Sequence, residues 1–315
     1  MFHLETPISN SPEVTILMGT LNGAAHLSAQ LGSLSNQTHT SWHLVASDDG
    51  SRDATLSILS DFARDHPDKV TIRSGPERGF SANYLSMMRA LPARPGFVCL
   101  ADQDDIWLTG KISRAVQCLS TNHHPTLYAG RRIIWQEKTG HTYHSRPISR
   151  PCTLHNALIE NIAAGNTIVL NPAAAALSRQ AALKSSAIFA HDWWLYLLIT
   201  ASGGKVVFDN GPPQVFYRQH DRNVIGANDR WSDHWRRKSG VLKGQFADRL
   251  DQNVAALKAI QNLLTPQARR TIAEFENALK KRGVKRLHAL HNLALYRQQL
   301  HHTLGFWGAV SLGKI

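Results

Sequence analysis

Short apolar runs rich in β-branched residues alternate with segments whose apolar residues recur at helical spacing, and this alternation limits the chain more than any other feature. "VTILMGT" (14–20), "WHLVASDD" (42–49), "VTIRSG" (70–75), "FVCLAD" (97–102), "NTIVLN" (166–171) and "KVVFDNG" (205–211) read as strands. "AHLSAQLGSLSNQ" (25–37), "ATLSILSDFARDH" (54–66), "FSANYLSMMRAL" (80–91) and "AAAALSRQAALKS" (173–185) read as helices, the second with Ser51 or Asp53 as its N-cap. Strands alternating with helices of about 10–15 residues are βαβ units, which build a mostly parallel α/β sheet flanked by helices. Such strands are covered on both faces, so they are continuously apolar, as these are. The stretch 135–165, with "HSRPISRPCTLH", is less regular and is expected to be a loop near a site. From residue 229 the texture turns helical, with a break at Pro266. The expected division is therefore an α/β domain over 1–228 and a basic helical region over 229–315.

Composition narrows the class. With 43% hydrophobic and 18% charged residues in 315, the chain can bury a core. Cys99, Cys118 and Cys152 are an odd number without metal-type spacing, which predicts free thiols in a reducing compartment. "MFHLETPISNSPEV" has neither a basic start nor an apolar core, so no signal peptide is expected. No apolar run reaches the ~18 residues of a membrane span. A cytoplasmic protein is expected. The net charge of +12 is lopsided: from Trp231 to Ile315 there are 15 Lys and Arg against 5 Asp and Glu, a net +10, which leaves +2 for the first 230 residues. The basic character belongs to the C-terminal region.

In an open α/β sheet, ligands bind beyond the carboxyl ends of the strands. Three polar clusters fall there: Thr20-Leu21-Asn22-Gly23, Asp48-Asp49-Gly50-Ser51, and Asp102-Gln103-Asp104-Asp105. Parallel strands bring all three to one edge, an acidic pocket on a basic chain. Converging carboxylates raise one another's pKa unless a cation lies between them. A hard divalent ion, Mg²⁺ or Mn²⁺, takes oxygen ligands and uses one or two carboxylates plus substrate phosphates. Asp and Asn also favour turns after strands, because their side chains bond the local backbone, and "DDGS" fits that reading equally well.

"VTILMGTLNGAAHLSAQLGSLSNQT", "LVASDDGSRDAT", "GPERGFSANY" and "FVCLADQDDIWLTGKI" together resemble the inverting family 2 glycosyltransferases of GT-A fold, with the rhamnosyltransferase-like bacterial members nearest. "NIAAGNTIVLN", "HDWWLYLLITASGGKVVFDN" and "YRQHDRNVIGAN" continue the likeness, which spans residues 13–228. The resemblance implies a nucleoside-diphosphate sugar donor, dTDP- or UDP-linked, and a glycan or lipid-linked acceptor. It implies that Thr20, Asn22, Asp48, Asp49, Asn83, Asp102, Asp105 and Arg218 bind the donor. Asp104 is then the main metal ligand, His220 a metal or phosphate contact, and Asp192 the general base. Two positions depart from the family pattern. His191 precedes Asp192 where Glu is usual, and Arg78 precedes Gly79 where Asn is common.

Asp192 also suits a helix N-terminus on electrostatic grounds, and Trp193 and Trp194 read as core. Arg218 and His220 follow a Pro-Pro turn and are expected in a loop. His288, His291, His301 and His302 have no carboxylate beside them in sequence and are assigned to no zinc site. Two other functions compete. A nucleic-acid binder explains the charge but not the acidic pocket, and no nucleic-acid motif is present. A nucleotidyltransferase would want a basic residue in a Gly-rich loop after the first strand, and "GTLNGAAH" has none. The C-terminal region, basic and ending in "LGFWGAV", suits either contact with the inner face of an anionic membrane or packing on the catalytic domain.

Overall fold

The computed structural model describes residues 11–220 and 245–315. Eleven strands fall among them: β1 Val14–Thr20, β2 Trp42–Asp48, β3 Val70–Ser74, β4 Phe97–Ala101, β5 Ile106–Trp107, β6 Thr126–Gly130, β7 Ile133–Gln136, β8 Thr142–His144, β9 Val169–Leu170, β10 Lys205–Asp209 and β11 Val215–Gln219. The helices are α1 Leu27–Ser35, α2 Thr55–Asp65, α3 Phe80–Ala90, α4 Lys111–Leu119, α5 Leu154–Ala157, α6 Pro172–Lys184, α7 His191–Ala201, α8 Gln245–Ala259, α9 Pro266–Lys280, α10 Gly283–His291 and α11 Leu300–Ser311.

Seven strands form one sheet in the order β10-β6-β9-β4-β1-β2-β3. All its pairs are parallel except those of β9, which runs against both β4 and β6. The expected α/β architecture holds, with a correction at 166–171. Only Val169–Leu170 is strand there, antiparallel, after a 3-10 turn at Gly165–Thr167. Strand side chains alternate between two apolar layers. Leu17, Val98 and Leu100 enter one with α3, α6 and α7, while Ile16, Met18 and Cys99 enter the other with α1 and α4. The continuous apolar runs are thus buried on both faces.

A second sheet, β5-β11-β7-β8, draws β8 and the end of β7 from the stretch expected to be irregular. Within 135–165 lie the end of β7, all of β8 and the short α5, while 145–153 has no regular structure. Arg218, expected in a loop, stands on β11 and is buried. The N-cap expectation is also corrected: Ala54 caps α2 without a side-chain bond, and Asp53 Oδ1 instead accepts from Thr55 N at 3.0 Å. All three cysteines are free.

The boundary expected at 228/229 lies outside the described residues. Beyond it, α8 to α11 contribute Leu250, Leu257, Phe275, Leu290 and Phe306 to the same apolar layer as Trp193, Trp194 and Leu127. Hydrogen bonds fix this docking: Gln298 N donates to Glu160, Arg297 Nε to the Ile159 carbonyl, and Arg150 N to Gln298 Oε1. Among the described residues no helix is long and apolar enough to cross a membrane.

One layer spanning both regions should unfold as one. Phe275 is fully buried in α9, so Phe275→Ala is expected to cost the whole chain about 3–5 kcal/mol. Urea unfolding followed by both fluorescence and circular dichroism should show a single shifted transition. A separate early transition would mean that the C-terminal helices are an independent unit.

Candidate functional site

Strand register decides what meets at the carboxyl edge. Thr20 lies opposite Asp48 and Asp48 opposite Ser74, so β1, β2 and β3 end level, while β4 stops two residues short, with Ala101 opposite Met18. The loops that follow hold the three polar clusters. The acidic one, residues 102–105, leaves the large sheet at the end of β4 and enters the small sheet at β5. It is the crossover between the two sheets.

Each of its four side chains has a different fate. Gln103 is structural: its Oε1 accepts from Leu21 N at 2.9 Å and its Nε2 donates to the Leu21 carbonyl at 3.1 Å. A Cβ on Gly23 would stand 2.2 Å from Gln103 Oε1, so the two loops close only over a glycine. Asp105 is fully buried, accepting from Asn166 Nδ2 at 2.6 Å and from the Arg218 amide at 3.3 Å. Burial, then the charges of Asp102 and Asp104, push its carboxyl well above the usual range. Asp104 Oδ2 bonds His220 Nε2 at 2.8 Å. Asp102 is pushed up to about 7, by burial first and then by the charges of Asp104 and Asp192. The carboxylate of α7 therefore acts on that of β4, although 90 residues separate them.

The small sheet supplies a basic wall. Arg218 Nε donates to the Asp104 carbonyl at 3.0 Å and Nη1 to Glu137 Oε1 at 2.8 Å, with the guanidinium 4.2 Å over the Trp135 ring. His220 follows β11, and its ring lies 4.9 Å from that of His26, which also stands 3.7 Å from Glu137. Burial holds the His26 pKa below its ordinary value. His26, Trp135 and Glu137 were not singled out by sequence, since none carries a local motif and the last two lie at the start of the stretch read as irregular.

The remaining expected residues sit on the other rim. Asp48 is saturated: Thr20 Oγ1, Ser51 Oγ, Ser51 N and Gly50 N all donate to it. Asp49 accepts from Glu77 N and Gly79 N, both at 2.7 Å, and so shapes the 75–79 loop while keeping further lone pairs. Asn83 is buried and paired with Ser47, donating to its carbonyl and accepting from its hydroxyl. Asn22 has a left-handed backbone with φ 48°, and its side chain accepts from Arg52 N. Asp192 lies in the first turn of α7, where Oδ1 accepts from Trp193 N. Trp193 and Trp194 are core, as expected. A separate cavity of about 680 Å³, lined among others by Ser28, Asn36 and Gln214, contains no titratable side chain.

The donor set suits a hard cation. Asp102 and Asp104 offer two carboxylates held close against their mutual charge, with His220 on the second. Among the described residues no three His, Cys, Asp or Glu side chains form a metal cluster. A pair of carboxylates completed by substrate phosphates is the usual arrangement for Mg²⁺.

Comparison with known proteins agrees with this geometry. Residues 15–184 match the sequence profile of the family described as Glycosyl transferase family 2. A dTDP-rhamnosyl transferase of Shigella flexneri, RfbG, is 27% identical over 244 residues, 73% of this chain and 80% of that protein. The UDP-Glc:alpha-D-GlcNAc-diphosphoundecaprenol beta-1,3-glucosyltransferase WfgD of Escherichia coli is 26% identical over 121 residues, 38% of this chain and 46% of that protein. The mannosyltransferase PcManGT from Pyrobaculum calidifontis, solved with GDP-Man and Mn²⁺, superposes with a TM-score of 0.53 at 20% identity, covering 91% of this chain and 74% of that one. S. aureus TarS 1–349 with UDP-GlcNAc gives 0.50 at 13%, covering 89% and 90%. At these identities the two superpositions speak to fold alone.

Removing the carboxylate of Asp49 strands two amide donors at the loop that borders the site. Hydrogen bonds to a charged group contribute about 1.5–3 kcal/mol. Asp49→Ala is expected to lose about that much stability in urea, and Asp49→Asn, which keeps one acceptor oxygen, about half.

Proposed function

The chain belongs to glycosyl transferase family 2, and from that premise we propose that it is a metal-dependent inverting transferase of a bacterial surface-polysaccharide pathway. It moves rhamnose or a hexose from a dTDP- or UDP-linked donor to a glycan or lipid-linked acceptor. The RfbG likeness favours dTDP-rhamnose. Residues 1–228 form the transferase domain. The basic region 229–315, of which the helices from Gln245 onward pack on it, meets the inner face of the cytoplasmic membrane.

The observation that carries the reading is the approach of α7 to the acidic crossover: a Cβ on Gly165 would stand 3.6 Å from Asp192 Cβ, and the next residue, Asn166, donates to Asp105 at 2.6 Å, so that the charge of Asp192 acts on Asp102. Glycosyl transfer needs a base for the acceptor hydroxyl and a stabilised leaving diphosphate, held in line. Asp192 takes the proton of the acceptor hydroxyl. The hydroxyl oxygen attacks the anomeric carbon from the face opposite the diphosphate, the bond from that carbon to the phosphate oxygen breaks, and its electron pair leaves with the nucleoside diphosphate. One displacement inverts the centre, so no enzyme nucleophile is required. Arg218 and His220 face the leaving group. Thr20, Asn22, Asp48, Asp49 and Asn83 form the nucleoside rim, within which Asp49 keeps lone pairs for base or ribose and Asp48 sets the turn. Asp105 holds the Arg218 backbone against the crossover. Asp104, with His220, would hold Mn²⁺ or Mg²⁺, which when bound would neutralise the diphosphate, while Asp102 contacts the donor.

Thermal unfolding with dTDP, UDP and GDP, each with and without Mn²⁺, tests the reading. A ligand at about 100 times its Kd adds about 2.7 kcal/mol. One pyrimidine diphosphate should raise the melting temperature only with Mn²⁺, and Asp104→Ala should abolish the rise. Asp192→Asn should keep the rise and lose about 10²–10⁴ in turnover. No rise with any nucleotide would remove the donor site from consideration.

A further inference from the structure

The four most exposed large apolar side chains among the described residues all lie near the C-terminus: Val284 at 81%, Leu300 at 71%, Leu312 at 70% and Leu304 at 63%. Leu300 and Leu304 are one turn apart on α11, while Phe306, Ala309 and Val310 face inward to the common core. The outer face of this helix therefore carries two leucines, beside His301, Gly305, Gly308 and Ser311, that the fold does not require. Along this part of the sequence the charge has one sign. Residues 277–315 contain 7 Lys and Arg and no Asp or Glu. Lys281, Arg282, Lys285 and Lys314 are exposed and form no ion pair with a described residue.

We propose that α10 and α11 form a membrane-docking surface, on which Leu300, Leu304, Leu312 and Val284 enter the headgroup boundary of an anionic bilayer while Lys281, Arg282, Lys285 and Lys314 pair with its phosphates. Exposed leucines beside unpaired cations are the composition of an interfacial helix. Each cation near an anionic surface strengthens binding about five-fold. Nucleic acid would use the cations but give the leucines no apolar partner. A second copy of the chain would place two basic faces against each other. The proposal deepens the membrane placement given above and rests on it.

Co-sedimentation of the full chain with vesicles, without nucleotide, tests it. Vesicles of phosphatidylcholine with phosphatidylglycerol should bind the protein at low salt and release it at high salt, and pure phosphatidylcholine should bind it at least ten-fold more weakly. Leu300→Asp combined with Leu304→Asp should lower binding at least ten-fold with an unchanged melting temperature. The surface is overturned by equal binding of variant and parent, by no binding to anionic vesicles, or by sedimentation velocity in which the double variant turns a dimer into a monomer. A chain that fails on vesicles yet keeps its Mn²⁺-dependent nucleotide shift overturns the surface and leaves the transferase reading standing.

A separate observation concerns His191. It is buried, and neither ring nitrogen has a hydrogen-bond partner. Its ring stacks on Tyr84 with centroids 3.8 Å apart at 15°. The Tyr84 hydroxyl donates to the Ala101 carbonyl at 2.5 Å, directly before Asp102. A Cβ on Gly165 would stand 2.9 Å from His191 Nε2, so the imidazole has its place because residue 165 carries no side chain. The geometry points to His191 and Tyr84 as positioning residues, a stacked strut that sets the distance between Asp192 on α7 and Asp102, the residue after β4. The assignment rests on Asp192 as base. His191→Leu, which removes an orphaned polar group, should melt no lower than the parent. It should still lose at least ten-fold in kcat with donor KM within two-fold, and Tyr84→Leu should show the same split. Unchanged kcat in both, in a protein that Asp192→Asn inactivates, overturns the strut, as does a loss of activity that tracks lost stability and lost nucleotide shift. Full activity of Asp192→Asn would instead overturn the base itself.

Discussion

The shared carboxyl edge of β1 to β4 is the constraint on which everything else here depends. Parallel pairing brings four loops to that edge, and those after β2, β3 and β4 carry carboxylates. Such an edge is electrostatically costly. Its cost is concentrated on Asp102 and Asp105, the two carboxyls that burial and neighbouring charge hold above their ordinary range. A site that gathers negative charge without neutralising it is suited to receive a cation and a diphosphate together.

The second sheet makes this tolerable. By pairing β5 with β11 and β11 with β7, it carries Arg218 beneath the acidic crossover. There the arginine serves the backbone of Asp104 through Nε, Glu137 through Nη1 and Asp105 through its own amide. A buried guanidinium needs partners for its planar fork of donors, and the Asp104 carbonyl and Glu137 accept from it while Trp135 covers its face. The crossover is thus anchored at both ends, by Gln103 to the β1 loop and by Asp105 to β11. Only Asp102 and Asp104 are left facing the open edge.

The C-terminal helices extend the core rather than add a separate one. Their inward residues close the layer that also holds α7, the helix bearing Asp192, so the position of the candidate base depends on packing that begins some 60 residues later in the chain. Their outward residues are a different matter, because the core leaves Leu300 and Leu304 in water.

The sequence by itself determined the α/β class, the strands β1 to β4, the helices between them and the clusters at their ends, because continuous apolar runs and helical periodicity are local signals. The family resemblance added Asp192, Arg218 and His220 as candidates and the sugar-transfer chemistry. Other features were decided only by the tertiary structure: the antiparallel β9, the small sheet, the placing of Arg218 on a buried strand, and the use of Asp49 to hold the 77–79 backbone. Each depends on a partner far away in sequence. Strands as short as β5, β8 and β9 have no periodicity of their own, and the sheet beside them makes them strands. The DQDD run shows the same division. Its composition announced a site, yet only folding sorted Gln103 and Asp105 into anchors and left Asp102 and Asp104 for chemistry, since that choice turns on Leu21, Asn166 and Arg218 arriving from elsewhere in the chain.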